Sequence, residues 1–322
     1  MNPICTVLLI SYNHSKYITK AIESVLAQKT KYNFIIKIFD DASTDGTQEI
    51  IKAYAEKYPQ KIIPYLNKEN MGAQGNIWRA YESVDTKYCI LTETDDYWCN
   101  ENKLQMQIDA MEKHSECSFC STNNYIEVIK DNYLTFLNNQ IQIKPEIYGK
   151  NGIIDYNHIS NIPAGFMTHP SARLVRTEAI DIKSIKYREA FLFDDSQYFY
   201  LLDKGPMYWI SEPTSVYVKT GEGNWTSQSA SSRMNQYWQA MLEVNMQTEG
   251  RRFIKIAHQL AVVTNWWIAL EQRQHQPQNT NKVVKKESKL KKLKHYIFSP
   301  LFLDLFNLPR DIIRYLKKKR GK

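Results

Sequence analysis

Glu93, Asp95 and Asp96 fall within four positions of one another in the stretch Leu91–Trp98, LTETDDYW. Carboxylates this close repel one another, and a divalent cation among them removes that cost. Hard oxygen ligands suit Mg2+ or Mn2+, and a diphosphate would complete the shell. A solvated acidic loop has the same composition, so the cluster alone leaves both readings open. A second acidic pair, Asp40-Asp41, lies in Phe39–Thr47, FDDASTDGT. A carboxylate there can accept a hydrogen bond from a base N–H. Asp, Ser and Gly are also what a strand-to-helix turn and N-cap use, with Ser43 or Asp45 as the cap. Tyr12, in Ser11-Tyr12-Asn13, can stack on a nucleobase while the adjacent backbone bonds the base edge. A third acidic pair, Asp194-Asp195, precedes SQYFYLL, which reads as a helix start, where acids also oppose the helix dipole.

These groups need elements to hold them. Ile4–Ser11 (ICTVLLIS), Phe34–Asp40, Lys61–Asn67, Lys87–Glu93 and Cys117–Asn123 read as strands, the first a continuous β-branched run of the kind buried on both faces. Between them, Ile18, Ile22, Val25 and Leu26 recur at helical spacing. So do Ile50, Ile51, Tyr54, Ala55 and Tyr58, then residues 73–84, then Leu104, Ile108 and Met111. Alternating strands and helices predict an α/β fold, a mostly parallel twisted sheet with helices on both faces. Ligands in such sheets bind beyond the carboxyl ends of the strands, which is where Tyr12, Asp41 and Glu93–Asp96 fall. Residues 121–225 are irregular, and 228–275 read as helices.

The 322 residues carry a net charge of +8, very unevenly placed. Lys282–Lys322 holds 14 Lys/Arg against 3 Asp/Glu, which leaves the remaining 281 residues at −3. A near-neutral body therefore carries a basic tail. Five cysteines are few and odd in number, which speaks for reduced thiols in a cytoplasmic compartment. No segment reaches the ~18 apolar residues of a membrane span. The chain has no GxxxxGK[ST] or GxGxxG pattern. Cys117 and Cys120, with His114 nearby, lack the second pair that a closed zinc site needs and read as core. His14, His158, His258, His275 and His295 show no ligand spacing and read as structural or exposed.

Taken together, Thr6–Asn13 (TVLLISYN), Ala21–Gln28 (AIESVLAQ), FDDASTDGT, Asn70–Asn76 (NMGAQGN), ETDDYW, His169–Ile180 (HPSARLVRTEAI) and Phe193–Phe199 (FDDSQYF) resemble the nucleotide-sugar domain of glycosyltransferase family 2. The resemblance covers residues 3 to about 225. It implies a GT-A fold and inverting transfer of a sugar from a nucleoside-diphosphate sugar, a UDP-sugar first, to a hydroxyl. It further implies that Tyr12 and Asp41 hold the base, with the Ile10 backbone nearby and Asn70 and Asn76 flanking the donor. Asp95 would face the ribose or sugar and, with Asp96, hold a Mg2+ or Mn2+ ion. Asp195, beside Asp194, matches the general base. His169 and Ser171 would line the acceptor side, and Trp98 and Trp225 would wall the sugar pocket. Many relatives carry Tyr-Arg-x-His near the end of the domain, where this chain reads Tyr217-Val218-Lys219-Thr220 and lacks both the Arg and the metal-binding His.

These readings divide the chain into a catalytic domain at 1–225, a helical extension at 226–281 and a basic amphipathic tail at 282–322. The tail mixes its lysines with Ile297, Phe298, Leu301, Phe302, Leu305 and Phe306, which suits an anionic membrane surface. Nucleic acid would use the charge but not the apolar half, so it is not an expected partner. A lipid-linked or free saccharide acceptor, as in bacterial surface-polysaccharide assembly, would place the protein peripherally on the cytoplasmic face of the inner membrane. A sugar nucleotidyltransferase would need a Gly-rich phosphate loop that ISYNHSKYI lacks. A non-catalytic, membrane-associated sugar-binding protein is the remaining alternative.

Overall fold

A computed structural model of the protein describes residues 2–130, 133–138, 150–155, 169–182, 185, 192, 194–220 and 230–249. The chain separates into two units, Met1–Val262 and Val263–Lys322, and all described residues belong to the first. The basic tail expected at 282–322 and Trp225 lie outside them.

The order is β1 (Cys5–Ser11), α1 (Ile18–Leu26), β2 (Phe34–Asp40), α2 (Thr47–Lys57), β3 (Ile62–Leu66), α3 (Gly72–Glu82), β4 (Tyr88–Glu93), β5 (Tyr97–Trp98), α4 (Lys103–Lys113), β6 (Phe119–Lys130), β7 (Tyr133–Asn138), β8 (Gly152–Ile154), β9 (Arg173–Arg176), α5 (Asp194–Lys204), β10 (Met207–Lys219) and α6 (Ala230–Gln247). One sheet runs β3-β2-β1-β4-β9-β6-β10-β5, with β7 on β6 and β8 on β10. Strands β3, β2, β1 and β4 are mutually parallel, as are β6 and β10. Strands β9, β5, β7 and β8 join antiparallel. The four strands expected first coincide with β1 to β4 to within a residue or two.

Both faces of β1 are buried, as its uninterrupted apolar run requires. Cys5, Val7 and Leu9 join Ile18, Ile22 and Val25 of α1, Ile51 of α2 and Leu104, Ile108 and Met111 of α4 in one core. The alternate residues face the layer of α3: Thr6 bonds Thr86, and on β2 Lys37 donates to Ser83 at the end of α3 and to Asp85. A lysine there sits against the negative end of the helix dipole. Arg176 does the same for α4, donating to the carbonyls of Met111 and His114, and it also reaches Cys117. Cys117 and Cys120 are buried free thiols, in the core role expected of them.

Helix α2 corrects one local expectation. Its N-cap residue is Gly46, at φ 95°, a left-handed backbone that glycine tolerates without a Cβ penalty. Asp45 still acts one step upstream, accepting from the Thr47 N–H at 3.1 Å and from the Thr47 hydroxyl.

Candidate active site

The carboxyl tips of β1, β2 and β4 are tied to one another. Ser11 O accepts the Asp41 N–H at 3.0 Å, and Ile10 O accepts the Thr94 N–H at 2.9 Å, so Asp41 and Thr94 flank the end of β1. The loop after β1 then crosses to the loop after β2: Asn13 N–H donates to Ser43 Oγ, Thr44 N–H to Asn13 Oδ1, and Ser15 N–H to Asp45 Oδ2. Asn13 (φ 54°) and Ala42 (φ 61°) adopt left-handed backbone here. Asn does so readily; Ala42 pays about 1 kcal/mol for it, which the surrounding bonds must hold.

Asp40 and Asp41 divide their work. Asp40 is fully buried and accepts from Ser43 N–H, Ser43 hydroxyl and Gln48 Nε2, so it pins the turn. Asp41 Oδ1 accepts from Asn67 Nδ2 at 2.9 Å and Met71 N–H at 2.8 Å, which ties the loop containing Asn70 to the tip of β2. Asn76 is buried and donates to Phe39 O while accepting from Asn67. It braces this corner from inside. Tyr12 and Met71 are exposed apolar side chains, 46% and 55% accessible, on the two loops that meet at Asp41. Asn70 is exposed and accepts the Gly72 N–H.

The acids after β4 form the second half. Asp96 is 1% exposed; its Oδ1 accepts the Val218 N–H at 2.9 Å, and its Oδ2 has no hydrogen-bond donor. Asp95 Oδ1 is likewise buried without one. Asp194, at the first position of α5, joins the same electrostatic group. Burial, then the charges of Asp95 and Asp194, push Glu93 up to about 8. Burial, then Asp95 foremost among its acidic neighbours, pushes Asp96 well above the ordinary carboxylate range. Burial also raises Asp95 and Asp194, against the opposing charges of His14 and Arg173 respectively. Glu93 and Asp194 keep solvent-accessible side chains beside the buried Asp96.

His169 closes this side. Its ring stacks on Tyr217 with centroids 4.5 Å apart, and Nδ1 lies 2.8 Å from Ser171 Oγ and 3.2 Å from Asp96 Oδ2. Burial and then the Arg173 charge lower it to about 3, so the ring is neutral and the contact with Asp96 is no ion pair. Among the described residues no three His, Cys, Asp or Glu side chains converge as a metal cage. Two orphaned buried carboxylate oxygens among mutually repelling acids nevertheless fit a divalent cation that takes its remaining ligands from a substrate.

The structure thus brings Tyr12, Asp41 and Asn70 to one corner, and Asp95, Asp96, His169 and Asp194 to another, joined through the tip of β1. Asp195 occupies the second position of α5. Trp98 departs from expectation: it is 4% exposed, packs in the core and donates Nε1–H to Thr92, because its strand turns inward against β10. Ser171 is fully buried beneath His169 rather than lining an open pocket. The Ile10 carbonyl is already engaged by Thr94. His14, read as structural or exposed, belongs to the site: Nδ1 lies 2.9 Å from Thr94 Oγ1, and its charge acts on Asp95. Its place just beyond the carboxyl end of β1 was the signal for it. Arg173 was also missed; buried, it donates to the Asp194 carbonyl at 3.0 Å and so holds the start of α5.

Comparison with known proteins gives this geometry its relatives. A sequence profile described as glycosyl transferase family 2 matches residues 6–173. A putative teichuronic acid biosynthesis glycosyltransferase of Bacillus subtilis, TuaG, is 36% identical over 120 residues, 37% of this chain and 46% of that protein. An uncharacterized glycosyltransferase of Mycoplasma pneumoniae is 27% identical over 229 residues, 69% of this chain and 70% of its own. An uncharacterized protein of Mycobacterium tuberculosis is 37% identical over 115 residues, and the match spans only 33% of it. Among solved structures, S. aureus TarS 1-349 in complex with UDP-GlcNAc superposes with a TM-score of 0.62 at 15% identity, over 90% of this chain and 80% of that one. A mannosyltransferase of Pyrobaculum calidifontis, in complex with GDP-Man and Mn2+, gives 0.53 at 14% identity, over 98% and 85%. The fold is that of the GT-A glycosyltransferases.

Proposed function

Because the chain belongs to glycosyltransferase family 2, we propose that it moves a sugar from a nucleoside-diphosphate sugar, a UDP-sugar, to a hydroxyl of a saccharide or lipid-linked saccharide, with inversion. The observation that carries this reading is the acidic cluster itself. Glu93, Asp95, Asp96 and Asp194 arrive from the tip of β4 and the start of α5; burial raises all four, and the charges of neighbouring acids add to the rise of Glu93 and Asp96. A sheet that needed only burial would not gather charge there.

Each corner has a distinct task. Tyr12, exposed beside Asp41, offers a stacking face for the base, while Asp41 keeps the Asn70–Met71 loop in place around it. Asp95 and Asp96 would hold the cation through their orphaned oxygens. A bound divalent cation would neutralise the charge that gathers on the departing diphosphate. At the start of α5, Asp195 takes the proton of the acceptor hydroxyl as that oxygen attacks the anomeric carbon. Attack opposite the leaving group inverts the configuration. Arg173 anchors the backbone from which Asp195 springs, so the base keeps its distance from the donor. The complexes of the TarS and mannosyltransferase structures with UDP-GlcNAc and GDP-Man support a nucleotide-sugar donor. The basic, aromatic tail at 282–322 supports a membrane-surface location that would raise the local concentration of a lipid-linked acceptor. Among the described residues no helix is long and apolar enough to cross a membrane.

The test is nucleotide release. Full-length protein is incubated with UDP-glucose, UDP-galactose or UDP-N-acetylglucosamine and Mn2+, with and without a lipid-linked saccharide. We expect UDP release that chelator abolishes and that falls at least ~100-fold in Asp195→Asn. Absence of turnover with every donor and acceptor would sink the reading.

A further inference from the structure

We propose that Lys61 is a nucleophilic lysine, acylated on its side-chain amine by small acyl phosphates in a pocket at the amino edge of the sheet. The proposal stands apart from the transfer reaction above. Lys61 immediately precedes β3 and Phe34 opens β2, so the pocket lies at the opposite ends of the strands from the acids.

The pocket has a volume of about 380 Å3 and is open to solvent. Leu26, Tyr32 and Phe34 give it an apolar side, and Lys31 and Lys61 give it two amines. The two lysines differ in their partners. Lys31 lies 3.0 Å from Asp109, and the bond to that carboxylate raises its pKa, so it stays an ammonium. Lys61 meets no carboxylate among the described residues. Its nitrogen lies 3.1 Å from the ring centroid of Phe34, which is buried. The ring face offsets only part of the lost hydration, and burial lowers the Lys61 pKa from 10.5 to about 8. The backbone is fixed beneath the side chain: the Lys61 N–H donates to the Tyr58 carbonyl, and its own carbonyl accepts the Ile36 N–H, both at 2.9 Å.

A desolvated lysine with no acid beside it is a nucleophile near neutral pH. At pH 7.5 about a quarter of Lys61 is free amine, against ~0.1% of an ordinary lysine. Nucleophilicity falls with basicity, which returns part of that advantage and leaves about 10-fold. In the reaction the amine lone pair bonds to the carbonyl carbon of the acyl phosphate. The bond from that carbon to the phosphate oxygen breaks, and phosphate leaves with the electron pair and the proton of the amine. The product is a neutral amide, and nothing is oxidised or reduced.

The experiment treats full-length protein with acetyl phosphate at pH 7.5, 8.5 and 9.5 and follows each lysine by peptide mass spectrometry. The exposed Lys16 and Lys52, and Lys31 on the same pocket, serve as references. We expect Lys61 to be acetylated about 10-fold faster than these at pH 7.5. Above pH ~8.5 its rate should level off, while the references keep rising about 10-fold per pH unit. Unfolding in guanidinium chloride should erase the difference. A Lys61 rate no faster than the references at pH 7.5, or one that climbs with theirs to pH 9.5, overturns the proposal. An advantage that survives unfolding overturns it too, because local sequence and not the pocket then makes the lysine reactive.

Discussion

Lys103 offers the sharpest quantitative test of the interior. It opens α4, is fully buried, and donates to Gln107 Oε1 at 2.9 Å and Thr214 Oγ1 at 3.1 Å, with its ammonium 5.2 Å from the Trp98 ring. Burial lowers its pKa from 10.5 to about 7. An unfolded lysine titrates near ~10.4, so between the two values the unfolded chain holds a proton that the folded chain has released. Stability contributed by this group therefore rises with pH across that window. The usable part ends near pH ~8.5, above which cysteines buried in the native state ionise only in the unfolded chain. Integrating from pH 7 to 8.5, with the folded lysine about half protonated at the start, gives a rise of about 1–2 kcal/mol. The measurement is urea unfolding of wild type and Lys103→Met at both pH values. Methionine leaves the Gln107 acceptor unpaired, which changes the level of stability but not its slope with pH. Wild type should gain about 1–2 kcal/mol relative to the variant over this range. Two pH profiles that run parallel would show that the ammonium is compensated by something other than the contacts above, and the reasoning would fail.

Three further outcomes follow from particular contacts. Asp41→Ala strips the acceptor from Asn67 Nδ2 and the Met71 N–H and should cost about 2 kcal/mol in urea unfolding, whereas Asp41→Asn, which can keep both bonds, should stay near wild type. At Gly205 an added Cβ would lie 2.8 Å from the Glu116 carbonyl oxygen, so Gly205→Ala should destabilise by about 1–3 kcal/mol, and an unchanged melting temperature would refute the packing there. Deleting residues 282–322 should weaken sedimentation with vesicles of anionic lipid while UDP release toward a soluble acceptor survives, and equal sedimentation of the two forms would remove the membrane role of the tail.

What the sequence determined by itself was the order of elements and the tips that matter. An apolar, β-branched run such as Thr6–Ile10 has few ways to bury both faces, so β1 to β4 and the helices between them follow from periodicity. The acids beyond those strands could then be placed at the carboxyl edge by the topology of parallel sheets. Side-chain direction was not legible. Trp98 stands two residues from Asp96, yet the pairing of Tyr97-Trp98 with Val216-Ser215 of β10 turns the indole into the core. His14 looked idle because its partner, Thr94, is 80 residues away. Arg173 and Asp194 are joined only where β9 meets the start of α5. His169 meets Asp96 only because β10, through Val218 and Tyr217, fixes one and stacks on the other. Hydrophobic patterning acts over neighbouring residues and can be read locally. The charge relations of a site depend on contacts between distant segments, and those exist only after the sheet has closed.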